Sequence, residues 1–393
     1  MSFDLKKIQN SIREQGMDGW LLTDFHHRDL MAYRILGLPI KFTSRRWFYF
    51  IPVEGEPKGL VSKVESTKLD PLRGEKKSYL SWKELHQSLR EMLAGYKKIA
   101  MQYSPMNNIP YVSVVDGGTI ELIRSFGVEI VTSADLVQEF EAIIDEAGYQ
   151  SHLEAGRRVQ AIKDEAFKRI REFLDRGEDL TEYELQQFIV RRFKEEGLNC
   201  MEEYPIVGVN GHPADPHFEP TAENSVVFKK GDQVLIDLWA KLDEPGSIFY
   251  DITWCGYIGQ NPPDDYVKVF HVVRDARKAA VNFVRDRFAR REKVYGYEVD
   301  DACRKVVVDA GFGEYFVHRT GHSIGEEVHG NGVNIDNLET MDERQLMPGI
   351  CFSVEPGIYI PGKVGVRTEI DVFITLDGEV VVAGDEQEEL ILI

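Results

Sequence analysis

The sequence is poor in cysteine. Its 393 residues hold four, Cys200, Cys255, Cys303 and Cys351, and no two form a Cys-x-x-Cys pair. That spacing excludes a zinc–thiolate site and a disulfide-stapled scaffold. Each cysteine is expected as a small core residue. Basic charge is also short: 47 Lys and Arg stand against 66 Asp and Glu, a formal charge of −19. Nucleic-acid phosphates and anionic membranes both select a basic face, so neither is an expected partner. No run approaches the roughly 20 apolar residues that span a bilayer. Met1-Ser2-Phe3-Asp4-Leu5-Lys6-Lys7 lacks the apolar segment of an export signal, so the expected location is cytoplasmic. No phosphate loop or dinucleotide fingerprint occurs.

What is present is ordinary globular material: 43% hydrophobic and 29% charged residues, in a chain long enough for two or three domains. Up to about residue 140, short β-rich runs alternate with helical ones. Strands are expected at 20–22, 47–52, 59–64, 98–103 and 128–132, and helices at 5–15 and 81–93, which makes an α/β domain. A helical pattern follows, with Leu153, Val159, Ile162, Ala166, Ile170 and Phe173 on one face. Thr181 and Glu184 form a capping box that opens the next helix, and Gly197 closes it. The boundary is placed at 145/146, between an N-terminal domain at 1–145 and a second domain at 146–393.

The second domain carries a weak internal repeat. Ala166, Tyr183, Glu184 and Gly197 recur as Ala280, Tyr297, Glu298 and Gly311, an offset of 114 (280 − 166). Gly231, Asp237 and Asp251 recur as Gly349, Glu355 and Glu369, an offset of 118 (349 − 231). Each unit would be two helices followed by a strand, a turn and a strand, packed about a pseudo-twofold axis.

The repeated carboxylates interrupt apolar, strand-like runs: Val234-Leu235-Ile236-Asp237-Leu238, Tyr250-Asp251-Ile252-Thr253, Cys351-Phe352-Ser353-Val354-Glu355 and Val366-Arg367-Thr368-Glu369-Ile370. Any one of them could be an edge residue facing water. Jointly they recur at the same 14-residue separation (251 − 237 and 369 − 355), which suits two arms of a hairpin. Buried unpaired carboxylates are very costly, and one nearby Arg367 does not balance four of them. A pair of divalent cations would, and oxygen donors suit hard or borderline ions. Five of the ten histidines, His212, His217, His318, His322 and His329, lie in two Gly/Pro-rich loops, each preceding a carboxylate hairpin. A lone histidine is usually structural; this clustering points to a site.

In these motifs, in their order and spacing, the chain resembles the metallopeptidases of the pita-bread fold, which include methionine aminopeptidase, aminopeptidase P, prolidase and the related creatinase. The resemblance covers about residues 150–393, and the first domain is similar in size and pattern to the N-terminal domain of prolidase and aminopeptidase P. It implies an α+β pita-bread domain with pseudo-twofold repeats, behind an α/β creatinase-like domain. It implies two divalent metal ions, Mn²⁺ first and Co²⁺ or Zn²⁺ as alternatives. Asp251 and Glu369 would bridge them, Asp237 would complete one, and His322 and Glu355 the other. Glu355 would be the general base. His217 and His329 would donate to the oxyanion or leaving group, and His318 and Arg367 would line the substrate. The implied reaction is hydrolysis of the N-terminal Xaa-Pro bond of a short peptide with a free N-terminus, by an Xaa-Pro aminopeptidase or dipeptidase acting as a homodimer.

Three features depart from the family pattern. Trp254 follows Asp-Ile-Thr where Arg is common. Gly330-Asn331-Gly332 follows His329 where an acid and then Pro are common. The first hairpin carries an insertion through Leu242-Asp243-Glu244-Pro245-Gly246. None removes a ligand. The alternatives are a non-catalytic member of the fold and a peptidase acting on another N-terminal amide.

Overall fold

A computed structural model describes residues 3–393. Its contacts divide the chain into two compact units, Met1–Ala142 and Ile143–Ile393.

The first unit runs α1 (Leu5–Glu14), β1 (Gly19–Asp24), α2 (Leu30–Leu36), β2 (Trp47–Pro52), β3 (Lys58–Ser62), β4 (Glu75–Tyr79), α3 (Trp82–Met92), β5 (Lys98–Met101), α4 (Gly117–Arg124), β6 (Glu129–Thr132) and the short α5 (Ala134–Val137). Its six strands form one mixed sheet in the order β4-β3-β2-β1-β5-β6. Strand β1 is buried along its whole length. Trp20 and Leu22 pack with Ile8 and Ile12 of α1, and Leu21 packs with Leu85 and Leu89 of α3 in a separate cluster. Cover on both faces is why this strand reads as an unbroken apolar run.

Four elements here are not among the expected ones, the four-residue α5 included. Strand β4 is Glu-Lys-Lys-Ser-Tyr, largely exposed and paired on one side only, parallel to β3. Charge is what an edge strand needs, and it hides the strand from a hydrophobicity pattern. Helices α2 and α4, of 7 and 8 residues, are too short to show a period. The expected strand at 59–64 ends at Ser62, which caps a 3₁₀ turn at Lys63–Glu65.

The second unit begins with α6 (Glu146–Arg176) and α7 (Glu182–Glu195), then β7 (Leu198–Asn199), β8 (Ile206–Val209), β9 (Gln233–Leu242) and β10 (Tyr250–Tyr257). The pattern returns as α8 (Asp264–Ala289) and α9 (Gly296–Asp309), then β11 (Ser323–Ile324), β12 (Cys351–Val354), β13 (Gly357–Ile360), β14 (Val364–Arg367), β15 (Ile370–Ile374), β16 (Val380–Ala383) and β17 (Ile391–Leu392). The matched residues do matched work. Glu184 reaches back to the Thr181 N–H at 2.8 Å and Glu298 to the Tyr295 N–H at 3.0 Å, at the starts of α7 and α9. Gly231 and Gly349 both turn with positive φ, +99° and +87°, before β9 and β12.

The two hairpins nevertheless differ in register. In the first, β9 and β10 pair continuously, with Asp237 opposite Thr253 and Trp239 opposite Asp251. In the second, β12 pairs with β15 up to Val354–Ile370, and β13 pairs with β14 from Gly357–Arg367 onward. Glu355 and Glu369 fall in the step between these ladders. Equal separation in sequence therefore does not give equal register. A loop over 243–249 joins the first pair of arms, whereas 361–363 joins the inner arms of the second.

All four cysteines are buried and unpaired, as expected. Among the described residues no helix is long and apolar enough to cross a membrane.

Candidate metal centre

Strand alternation builds the first wall of the site. On β9 and β10, Ile236, Leu238 and Ile252 point into the core beneath α6 and α7. Asp237, Asp251 and Thr253 occupy the opposite face. Glu369, 2% exposed, meets this wall from the second hairpin: its N–H donates to the Thr253 carbonyl at 3.1 Å and its Oε2 accepts from Thr253 Oγ1 at 2.7 Å. His322 comes in just before β11, with Nε2 3.7 Å from Asp251 Oδ2 and 3.5 Å from Glu355 Oε1. Asp251, His322 and Glu369 offer ligand atoms that all lie within 4.8 Å of one another.

Arg367 is the counter-charge. Its Nη2 donates to Asp237 Oδ2, its Nε to Thr253 Oγ1 at 3.0 Å and its Nη1 to the Tyr359 hydroxyl at 3.0 Å. Tyr359 Oη donates in turn to His318 Nε2 at 2.7 Å, because His318 Nδ1 is spent on the Arg319 carbonyl at 2.6 Å. Burial, then the Arg367 charge, pushes the His318 imidazole down to about 3.

One arginine does not neutralise the cluster. Burial, then the Asp237 and Asp371 charges, lifts Asp251 well above the carboxylate range. Burial, then Asp251 and Glu355, does the same to Glu369. Asp237 is raised because burial outweighs Arg367 beside it, and burial takes Glu355 to about 7. Asp237 Oδ1 and Asp251 Oδ1 are buried and accept no hydrogen bond. Buried oxygens left in that state are expensive. The His322 Nδ1 lies 3.1 Å from the Ser323 carbonyl, which can only accept, so its Nε2 lone pair is free to face the carboxylates. Unsatisfied oxygens, a clustered negative charge and an available imidazole nitrogen are what a divalent cation site requires, and these residues fit one.

Behind the wall sits a second layer. Asp371 Oδ2 accepts from the Asp251 N–H at 2.8 Å and lies 3.8 Å from His152 Nε2. His152 Nδ1 donates to the Phe249 carbonyl at 2.6 Å. Burial pushes His152 down to about 4 and Asp371 well up.

Of the five residues implied as ligands, Asp251, His322 and Glu369 meet directly; Glu355 lies beside His322, and Asp237 is tied to the group through Arg367, which also reaches His318 by way of Tyr359. His329 lies beside them, its ring 4.3 Å from that of His322. It is exposed as a residue, so the desolvation that lowers its pKa counts for less than at buried His322. His217 is on an exposed loop, its N–H donating to Asp215 Oδ1 at 3.1 Å. His212, in the same loop, pairs instead with buried Glu182 at 2.8 Å. Trp254 does not enter the site: strand alternation turns it to the α6 side, where Lys163 Nζ sits 3.6 Å from its ring centroid.

Thr253, Tyr359, Ser353, Asp371 and His152 are the contributors that the sequence reading does not single out. Thr253 is within reach, since it lies two residues from Asp251 on the same face of β10, and Asp371 lies two residues beyond Glu369. His152 stands 99 residues before Asp251 on α6, and nothing local marks it.

Comparison with known proteins agrees with this geometry. The sequence model described as metallopeptidase family M24 matches residues 154–376. A Mycobacterium bovis protein named probable dipeptidase PepE is 32% identical over 273 residues, 70% of this chain and 67% of that protein. The crystal structure of dipeptidase PepE from Mycobacterium ulcerans superposes with a TM-score of 0.70 at 25% identity, covering 100% of this chain and 99% of the other. Recombinant prolidase from Thermococcus sibiricus gives 0.63 at 25% identity, with 100% of both chains covered. The fold is the pita-bread fold with its preceding α/β domain, and the chain belongs to metallopeptidase family M24.

Proposed function

We propose that the unit Ile143–Ile393 is a dinuclear-metal peptidase that cleaves the N-terminal Xaa-Pro bond of short peptides. The observation that supports this reading is the meeting of buried Asp237, Asp251, Glu369 and His322 with half-buried Glu355, where two carboxylate oxygens, Asp237 Oδ1 and Asp251 Oδ1, accept no hydrogen bond. Asp237, Asp251, His322, Glu355 and Glu369 would hold the ions. Mn²⁺ is the first choice, with Co²⁺ or Zn²⁺ equally suited to these donors. When bound, such ions polarise the scissile carbonyl and make a water acidic enough to attack at neutral pH.

The rest of the chemistry falls to the chain. Glu355 takes the proton of the attacking water, its Oε1 oriented by the Ser353 hydroxyl at 3.2 Å. His329 and His217 donate to the developing oxyanion or to the departing nitrogen. That proton matters for Xaa-Pro, because the nitrogen of the leaving proline must be protonated to depart. His318 and Arg367 line the substrate side, and Arg367 also holds Asp237 in place. The unit Met1–Ala142 would be the creatinase-like accessory domain, and in a homodimer the copy from the neighbouring subunit would limit substrate length. The protein would act as a cytoplasmic homodimer on peptides with a free N-terminus.

A second reading is a dipeptidase without proline preference. It is favoured by the M. bovis relative, which is named a probable dipeptidase. Hydrolysis of Ala-Pro, Ala-Pro-Ala and Met-Ala-Ser with a defined metal separates the readings. Preference for Ala-Pro indicates an Xaa-Pro dipeptidase and preference for Ala-Pro-Ala an aminopeptidase. Cleavage of Met-Ala-Ser at a rate equal to the proline peptides would remove the Xaa-Pro assignment.

A further inference from the structure

Gly330-Asn331-Gly332, directly after His329, contains no proline and no bulky side chain. Such a segment loses much conformational freedom when it is ordered. The restraint comes from outside it. Arg344 is 1% exposed. Its Nε and Nη2 donate to the two oxygens of buried Asp342, at 2.9 and 2.5 Å, and its Nη1 donates to the Asn331 carbonyl at 2.8 Å. Asp342 Oδ2 accepts from the Asn334 N–H at 2.8 Å. On the other side, Ser323 Oγ accepts from the Gly332 N–H at 3.0 Å, and the Ser323 carbonyl from the Gly330 N–H at 2.7 Å. The Ser323 N–H itself donates to Asn334 Oδ1 at 3.0 Å. Ser323 follows His322, whose ring packs on His329.

The anchor has a firm base. The carbonyls of Arg344 and Asp342 accept from the N–H groups of Gly296 and Tyr297, at 3.2 and 3.1 Å, in the first turn of α9. The Asn334 carbonyl sits 2.0 Å from where a Cβ on residue 296 would be, so only glycine permits this approach. A buried arginine–carboxylate pair is a poor stability device, since apolar replacements are often neutral or better. What such a pair does give is direction.

We propose that Arg344, braced by Asp342, is a positioning residue for His329. By fixing the Asn331 carbonyl two residues on, it sets the angle at which the His329 imidazole faces the centre. The catalytic part of this inference rests on the reading of His329 as a proton donor to the reacting peptide.

The test is the double replacement Asp342→Asn with Arg344→Met. It removes both charges, keeps an acceptor for the Asn334 N–H and leaves no unpaired buried charge. In the metal-loaded protein kcat falls about tenfold, the scale of a slightly misplaced group, while KM changes less than about twofold. Metal content, measured by elemental analysis, stays at the parent level. In a His329→Ala background the same replacement lowers kcat no further, because the two act as one unit. A parent-like kcat, or an equal loss with and without His329, overturns the inference. Amide exchange at Gly330 and Gly332 supplies a readout independent of catalysis: it accelerates in the double variant, and unchanged exchange also overturns the anchor. Faster exchange together with a His329→Ala variant of parent activity would instead locate the failure in the assigned role of His329. Should the double variant not fold, Arg344→Lys replaces it. Lysine keeps the charge beside Asp342 without the fork, and its smaller kcat loss must likewise vanish without His329.

Discussion

Thr253 and Glu369 are joined twice: the threonine hydroxyl donates to Glu369 Oε2 at 2.7 Å, and the Glu369 N–H donates to the Thr253 carbonyl at 3.1 Å. This pair stitches the two sequence repeats together at the centre of the site. It also leaves Thr253 Oγ1 to accept from Arg367 Nε, so the hydroxyl orients a carboxylate and a guanidinium at once.

Replacing Thr253 with the isosteric valine should therefore loosen Glu369 without opening a cavity. Loss of such an outer partner typically costs about 10–100-fold in metal affinity. Calorimetric titration of the metal-free protein with Mn²⁺ measures it. Affinity equal to the parent would show that Glu369 is held without the hydroxyl.

Asp251→Asn and Glu369→Gln each remove a charge while preserving shape. Both variants are expected to lose metal and peptide hydrolysis together, since the remaining acids cannot offset two divalent ions. Elemental analysis beside a peptide assay checks this. Normal turnover with normal metal content in either variant would sink the dinuclear assignment.

Exhaustive chelation is expected to abolish hydrolysis, and Mn²⁺ or Co²⁺ to restore it. Activity that survives a metal-free preparation would count decisively against a metal-dependent reaction.

Asp29, in the first unit, offers a pH test away from the centre. Its side chain caps α2 through the Ala32 N–H, while Oδ2 is buried without a partner. Burial lifts the carboxyl from 3.8 to about 7 against the Ala32 bond, with Asp24 and Glu141 adding to the rise and Arg34 opposing it. Between these values the folded chain keeps a proton that the unfolded chain has released. The stabilisation from this proton is complete below pH about 4 and is lost as pH rises through about 7. Asp29→Asn caps equally well and does not titrate. The variant should gain melting temperature relative to the parent between pH 5 and pH 8. Parallel melting curves across that range would refute the shift.

Much of the fold shows in local pattern. The capping box at Thr181 and Glu184, the apolar face of α6 and the runs at 20–22 and 47–52 are short-range signals with short-range causes. Strand β4 is invisible for the opposite reason: it lies at a sheet edge, where solvent rewards charge. The site divides in the same way. Asp237, Asp251, Glu355 and Glu369 stand out because a carboxylate inside an apolar run is a local contradiction. His152 and the Arg344–Asp342 pair carry no such mark, since a histidine on a helix or an arginine in a loop is unremarkable until its neighbours are known.

The −19 charge also divides. Most of it is solvated surface, but Asp237, Asp251 and Glu369 are buried and Glu355 half-buried, and two divalent ions would offset these four. By itself the sequence determined which residues are candidates for the chemistry, because donor type and order along the chain are written there. Only the tertiary structure decided their arrangement. It set Asp237 opposite Thr253 but left Glu355 and Glu369 between two ladders despite equal spacing, and it turned Trp254 away from the site. It also brought Arg344 under the loop that follows His329. Register and side-chain direction depend on which strands pair and which faces are covered, and those choices are made by contacts between residues far apart in the chain.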